Sequence, residues 1–139
     1  ELDAIVREAE SLGNIPLLLA ARVALARAEL RAGKKARAVE EAGKAISRES
    51  GLDGGENLFQ ARLLRGLART GEAKGDATAG DLMEALQTFE KIRSEMTDPS
   101  AFRTLLGRVD LRSDLKDLSK GLQQAGKTAE AERVAAWLR

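Results

Sequence analysis

The chain has no cysteine, no histidine and no tyrosine among its 139 residues. Without cysteine it forms no disulfide and offers no thiolate to a metal. Without histidine it lacks the usual general base and the commonest metal ligand. A nucleophile–base pair built from a thiol or an imidazole is therefore excluded. We expect no enzyme activity, no cofactor and no bound metal.

Proline and aromatic residues are scarce, with two prolines, three phenylalanines and one tryptophan. So few prolines leave room for long helices. Hydrophobic residues make up 43% of the chain and charged residues 32%, and most of them are Ala, Leu, Glu, Lys and Arg. These residues lose little side-chain entropy in a helix. The composition predicts an all-α fold, and the length predicts a single domain over residues 1–139.

Neither sign of charge predominates, because the chain has 23 Lys and Arg residues and 22 Asp and Glu residues. The net charge of +1 therefore favours neither acidic nor basic partners. The longest apolar stretch, residues 15–21, is too short to span a bilayer, and no signal peptide is visible. We expect no membrane partner. The sequence does not determine the cellular compartment, although it favours the cytoplasm. Since the sequence starts with Glu1, we expect it to be a piece of a larger protein.

Turn signals divide the chain into seven expected helices. They cover residues 1–12, 15–32, 35–49, 58–70, 81–96, 101–125 and 128–138. The expected N-caps are Asn14, Asn57, Asp81 and Asp98. Glu84 completes a capping box at the fifth helix, and Gly107 is a candidate kink in the long sixth helix. Residues 71–80 are an expected polar loop. In the first helix Ile5, Ala9 and Leu12 are expected to form the buried face.

A short pattern recurs three times near the ends of expected helices. It reads Leu25-x-Arg27-x3-Arg31-x-Gly33, then Leu63-x-Arg65-x3-Arg69-x-Gly71, then Leu118-x-Lys120-x3-Gln124-x-Gly126. A small alanine recurs in the helices that follow, at Ala38, Ala85 and Ala131. Ala4 occupies the same slot in the first helix, 34 residues before Ala38. A helix–turn–helix unit of 34 residues is the tetratricopeptide period.

On these residues the chain resembles the tetratricopeptide repeat (TPR) family in its Ala- and Arg-rich bacterial form. Further family positions fall on Ala26, Gly33, Gly80, Phe89 and Gly126. The sequence departs from the family at Ala42 and Ala135, which fill the aromatic slot, and Pro99 only approximates the helix-ending proline. The resemblance implies a right-handed α-solenoid of about three helical hairpins plus an N-terminal half-repeat helix. It also implies a scaffold that binds other proteins.

In this family the first helix of each pair lines a concave groove that binds peptides. The aligned cations on the first helices are Arg27, Arg31, Arg65, Arg69 and Lys120. Stacked repeats would bring them into a ladder of positive charge. Such a ladder would hold an acidic protein segment, because guanidinium groups match the geometry of carboxylates. The alternative is that these cations are solvated residues near helix C-termini, where the helix dipole favours positive charge.

A second functional hypothesis is a structural spacer or an oligomerisation module. Its contacts would be made by apolar residues of the terminal helices, namely Leu2, Trp137 and Leu138. These residues would stack on flanking domains of the parent protein or on a second copy, which makes a homodimer an option. An adaptor should instead expose Arg27 and its equivalents in an open groove.

Two further charge patterns are weaker signals. The basic run "GKKAR" at 33–37 could contact nucleic acid, but it lacks interleaved aromatic residues and two glutamates follow it closely. We therefore expect no nucleic-acid partner. Asp110, Asp114 and Asp117 share one helix face and could approach Mg²⁺ or Ca²⁺. A hard cation needs more oxygen ligands from converging elements, so we expect a solvated face there.

Overall fold

The computed structural model describes residues 2–48, 55–70 and 75–139, and of residues 75–77 only the backbone. These residues form eight α-helices and no strand. The helices are α1 (Leu2–Leu12), α2 (Ile15–Arg31), α3 (Lys35–Arg48), α4 (Glu56–Ala68), α5 (Gly75–Ser94), α6 (Pro99–Leu106), α7 (Val109–Gln124) and α8 (Thr128–Trp137). The expected all-α class is therefore confirmed.

Several helix ends lie where the sequence predicted them. The glycines that follow α1, α2 and α7 have positive φ angles, at Gly13 (67°), Gly33 (79°) and Gly126 (81°). Glycine adopts this left-handed conformation without the strain a Cβ would cause. Asn14 caps α2 by accepting a hydrogen bond from the Leu17 backbone N–H at 3.2 Å. Asp98 caps α6 by accepting one from the Ser100 N–H at 2.9 Å.

The single long helix expected over 101–125 is wrong. The chain instead forms α6 and α7, with a break at Gly107 and Arg108. Arg108 has an extended backbone, with φ −69° and ψ 128°. Its guanidinium lies 2.7 Å from Glu56 on α4 and 2.7 Å from Asp110 on α7. Glycine is a poor helix former, and these ion pairs hold Arg108 at the break.

Two other expected helix starts are also wrong. Helix α5 begins at Gly75, so Gly80 and Asp81 lie inside it and neither forms a turn or a cap. Asp81 is 4% exposed, and its carboxylate binds Arg65 of α4 and Arg69, the residue that follows α4. Helix α4 is capped by Gly55, whose φ is 90°, so Asn57 lies in its first turn. Residues 71–74 of the expected loop, which include the second repeat glycine, lie outside the described residues.

The expected buried face of α1 is rotated. The helix buries Val6 and Ala9 against α2, whereas Ile5 is 39% exposed and Leu12 is 70% exposed. Ala4, the expected small packing position, is exposed as well. Successive residues are 100° apart around a helix, so a contact face centred between Val6 and Ala9 turns Ile5 and Leu12 away from α2.

Helices pack mainly on their neighbours in the chain. Helix α1 packs on α2, and contacts continue in order through α3, α4 and α5 to α7 and then α8. Helix α2 also contacts α4, and α4 contacts α7. The repeat leucines are buried, with exposures of 7% at Leu25 and 0% at Leu63 and Leu118. The repeat alanines of α3, α5 and α8 are also buried, namely Ala38, Ala85 and Ala131.

All four aromatic side chains of the protein meet in one cluster. The ring centroid of Phe89 lies 5.2 Å from that of Phe59 and 5.2 Å from that of Trp137. Phe102 of α6 meets Trp137 edge-on at 6.3 Å, and the Arg93 guanidinium lies 5.2 Å above the Phe102 ring. Aromatic pairs add about 0.5–1.5 kcal/mol each beyond their burial. The cluster thus joins α6 to the core formed by α4, α5 and α8.

Close packing of α4 on α5 yields a first prediction, with Gly66 as its test site. A Cβ at Gly66 would lie 2.7 Å from Leu82 Cδ2 and 3.2 Å from Asp81 Cβ, and both neighbours are buried. We expect Gly66→Ala to lower the free energy of unfolding by about 1–3 kcal/mol, measured by urea denaturation. Gly80→Ala is the matched control, because nothing lies within 4 Å of its Cβ position. This helical alanine should raise stability by about 0.5–1 kcal/mol. Equal effects at the two sites would contradict the packing.

Candidate functional site

A groove of about 570 Å³ lies between α2, α4 and α7. Its α2 wall carries small residues, with Ala20, Ala24 and Ala28 facing the open space. Its charged and amide side chains are Arg27, Arg31, Glu56, Asn57, Gln60, Arg108, Asp110 and Asp114. The groove therefore combines room for a ligand with donors and acceptors of both charges.

An ion pair between Arg27 and Asp114 crosses the groove from α2 to α7. Arg27 Nη1 donates to Asp114 Oδ1 at 2.8 Å, and Nη2 donates to Oδ2 at 3.1 Å. The Asp114 side chain is 2% exposed and that of Arg27 is 26% exposed. Gln60 of α4 places its amide nitrogen 3.5 Å from Asp114 Oδ2. Two parallel hydrogen bonds on a buried carboxylate fix the relative position of α2 and α7.

Arg65 and Arg69, the cations of the second sequence pattern, are bound by an aspartate of α5. Arg65 Nη2 lies 2.8 Å from Asp81 Oδ1, and Arg69 Nη1 lies 2.7 Å from Asp81 Oδ2. The Asp81 side chain is 5% exposed. Both arginines thus join α4 to α5 and do not line the groove. Their spacing in the sequence predicted that the two arginines share one face of α4. It did not predict that Asp81 of α5 binds them.

The remaining predicted cations are separated from one another. Arg31 is exposed and lines the groove. Lys120 is also exposed, but it borders the cleft between α4 and α7 and the cleft between α7 and α8. The expected ladder of five cations is therefore not formed, because only Arg27 and Arg31 of the set line one groove. Arg27 is already neutralised there by Asp114.

The sequence reasoning missed Arg108, which lines the groove and binds Glu56 and Asp110. This arginine lowers the pKa of the Asp110 carboxyl, chiefly through a hydrogen bond. The signal that could have found it is the break after Gly107, since a residue between two helices is free to point across to α4. With Arg108 included, three arginines and three carboxylates line the groove. The formal charges of the groove therefore cancel.

The aspartates expected to form a solvated face have three different surroundings. Asp114 is buried against Arg27, and Asp110 binds Arg108. The pKa of Asp117 is raised by partial desolvation and then by the charge of Asp114. Among the described residues no three Asp, Glu, His or Cys side chains are grouped so as to hold a metal ion.

The predicted terminal residues lie in different places. Leu2 is half-buried beside Val6 and also lines the groove. Trp137 packs into the aromatic cluster of its own chain. Leu138 is half-buried, and its carbonyl accepts a hydrogen bond from Arg112 Nη2 at 2.7 Å. Stacking on another molecule through these residues stays a prediction.

Two charged side chains are buried on α2 away from the groove. Arg22 lies 2.9 Å from Glu41 of α3 and 3.6 Å from Glu10 of α1, so it links three helices. Glu29 has a side chain that is 6% exposed, and its carboxylate lies 2.7 Å from Arg37 Nε. Burial raises the pKa of Glu29 above its ordinary value, although Arg37 opposes this shift.

Comparisons with models of protein families, with curated proteins and with solved structures find no match. Within the part of the chain that the structure describes, no helix is both long and apolar enough to cross a membrane. The functional proposal therefore draws on the geometry described above and on the repeat pattern of the sequence.

The raised pKa of Glu29 predicts a pH dependence of stability. A raised pKa means that the folded chain binds the Glu29 proton more tightly than the unfolded chain does. Protonation of Glu29 therefore adds to the free energy of unfolding, and this contribution is fully present below the ordinary pKa of 4.5. It is lost as pH rises through the higher folded pKa. Glu29→Gln should therefore raise the free energy of unfolding by about 1 kcal/mol at pH 7 and change it little at pH 4.

This pH dependence is measured by urea denaturation from pH 4 to pH 8. Glu95→Gln is the matched control, because Glu95 is exposed near the end of α5. We expect Glu29→Gln to diverge from the parent protein as pH rises, while Glu95→Gln runs parallel to it. Parallel curves for Glu29→Gln would contradict an energetic cost of the buried carboxylate.

Proposed function

We propose that this chain is a TPR-like module that binds a segment of another protein without covalent chemistry. In this proposal α2–α3, α4–α5 and α7–α8 are three successive hairpins of a right-handed solenoid, and α1 is the second half of a preceding repeat. The packing order of the helices supports this assignment. So does the burial of Leu25, Leu63 and Leu118 at equivalent positions.

The groove between α2, α4 and α7 carries the proposal. It lies on the first helix of each proposed hairpin, and its volume of about 570 Å³ falls within the usual range for ligand sites. The alanines of α2 have short side chains, so a bound peptide can approach the helix backbone closely. The half-buried amide of Gln60 and the exposed hydroxyl of Ser113 can pair with the peptide groups of an extended segment.

Arg31 is the group that we assign to an acidic residue of the bound segment. It is exposed at the groove, whereas Arg27 and Arg108 are held by Asp114 and Glu56. A carboxylate of the partner would form a charge-assisted hydrogen bond with the Arg31 guanidinium. The binding segment that fits best is therefore mixed in charge, with one acidic residue near Arg31.

A selection of random 12-residue peptides displayed on phage would test this proposal. We expect fluorescence anisotropy to show that selected peptides bind the parent protein. Ala28→Trp should weaken their binding at least tenfold, or about 1.4 kcal/mol, by filling the groove. Ala36→Trp is the matched control, because Ala36 is exposed on α3 outside the groove. It should leave binding unchanged.

Arg31→Glu tests the assigned contact separately. It should weaken the binding of selected peptides that carry an acidic residue by a similar factor. The binding of neutral peptides should change less. Arg7→Glu on α1 is the charge-matched control. Failure to select any binder would contradict the proposed function, as would binders that tolerate Ala28→Trp.

A further inference from the structure

An open cleft of about 620 Å³ runs between α7 and α8. Lys116 and Lys120 of α7 form one side, and Ala135, Leu138 and Arg139 form the other. Helix α8 is the last helix in the packing order, and it packs on α7 and, through Trp137, on the aromatic residues of α5 and α6. The cleft is separate from the groove of the proposed function, with which it shares no lining residue.

The charge of this cleft is of one sign. Lys116 and Lys120 are exposed, and no carboxylate is among the described side chains that line the cleft. Arg139 is partly offset by an ion pair with Glu132, which lies outside the lining. Leu138 and the lysine stems offer apolar surface below the ammonium groups. An occupant must therefore supply apolar side chains flanked by carboxylate.

Helix α1 presents such a face at the opposite end of the packing order. Ile5 and Leu12 are 39% and 70% exposed, and the exposed Glu8 lies between them. Residues at i, i+3 and i+7 share one side of a helix, so these three form a continuous strip. The strip points away from α2, because Val6 and Ala9 make that contact.

We propose that copies of this chain associate head to tail, with the Ile5–Glu8–Leu12 strip of one copy seated in the α7–α8 cleft of the next. Leu12 and Ile5 cover Leu138 and Ala135, and Glu8 lies against Lys116 and Lys120. The two surfaces differ, so the contact is heterologous. Repetition then adds further copies and does not stop at a symmetric dimer, unless the rotation closes a ring.

Sedimentation velocity over a concentration series tests this proposal. The weight-average mass should rise above the 14.9 kDa of one chain as concentration increases. The rise should shrink in high salt, because the Glu8–lysine contacts are screened. A mass that stays at one chain up to about 1 mM would overturn the proposal.

Variants of each surface establish which faces meet. Ile5→Gln with Leu12→Gln removes the apolar side chains of the strip. Lys116→Glu with Lys120→Glu reverses the charge of the cleft. Each double variant alone should be monomeric. Their equimolar mixture should give a dimer and nothing larger, because each supplies the face that the other lacks. Val109→Gln is the control, since Val109 is 84% exposed and lies outside both surfaces.

Several results would overturn the head-to-tail contact. A cleft variant that associates like the parent protein would show that the strip pairs with itself. A mixture of the two double variants that stays monomeric would show that the faces do not meet. Circular dichroism of each variant confirms that it is folded, and all four substituted positions are exposed. Peptide binding in the groove is measured separately, so loss of association leaves the proposed function standing.

Discussion

The Arg27–Asp114 ion pair joins two helices whose paired residues lie 87 positions apart in the chain. Helix α4 contacts both α2 and α7, and the ion pair connects these two directly across the groove. The Asp114 side chain is 2% exposed, so loss of Arg27 would leave a buried charge without its partner. Such a loss typically costs about 3–5 kcal/mol. We therefore expect the shape of the groove to depend on this pair.

Several other arginines also join helices to one another. Arg22 links α2 to α1 and α3, and Arg65 and Arg69 link α4 to α5 through one aspartate. Charges of both signs are thus used within the fold, in agreement with a net charge of +1. Arg31 is available at the groove and Lys116 at the α7–α8 cleft, which is why we place the two proposed contacts there.

Local sequence signals predicted local structure, and long-range pairs set the rest. Asn14 caps α2 and Gly33 ends it because the determining groups are a few residues away. Asp81, inside α5, binds Arg65 of α4, and Arg108, at the break after Gly107, binds Glu56 of α4. The repeat alignment located the arginines but not their carboxylates. A partner such as Asp114, far along the chain, leaves no periodic signal.

The distance across the groove tests most directly whether the Arg27–Asp114 pair sets its shape. Because the chain lacks cysteine, Ala20→Cys and Ser113→Cys place spin labels at two exposed groove positions without competing thiols. Double electron–electron resonance should give one narrow distance distribution in this background and with Arg31→Leu added. With Arg27→Leu added, we expect a broader distribution shifted to longer distance. An unchanged narrow distribution with Arg27→Leu would contradict a groove held by this ion pair.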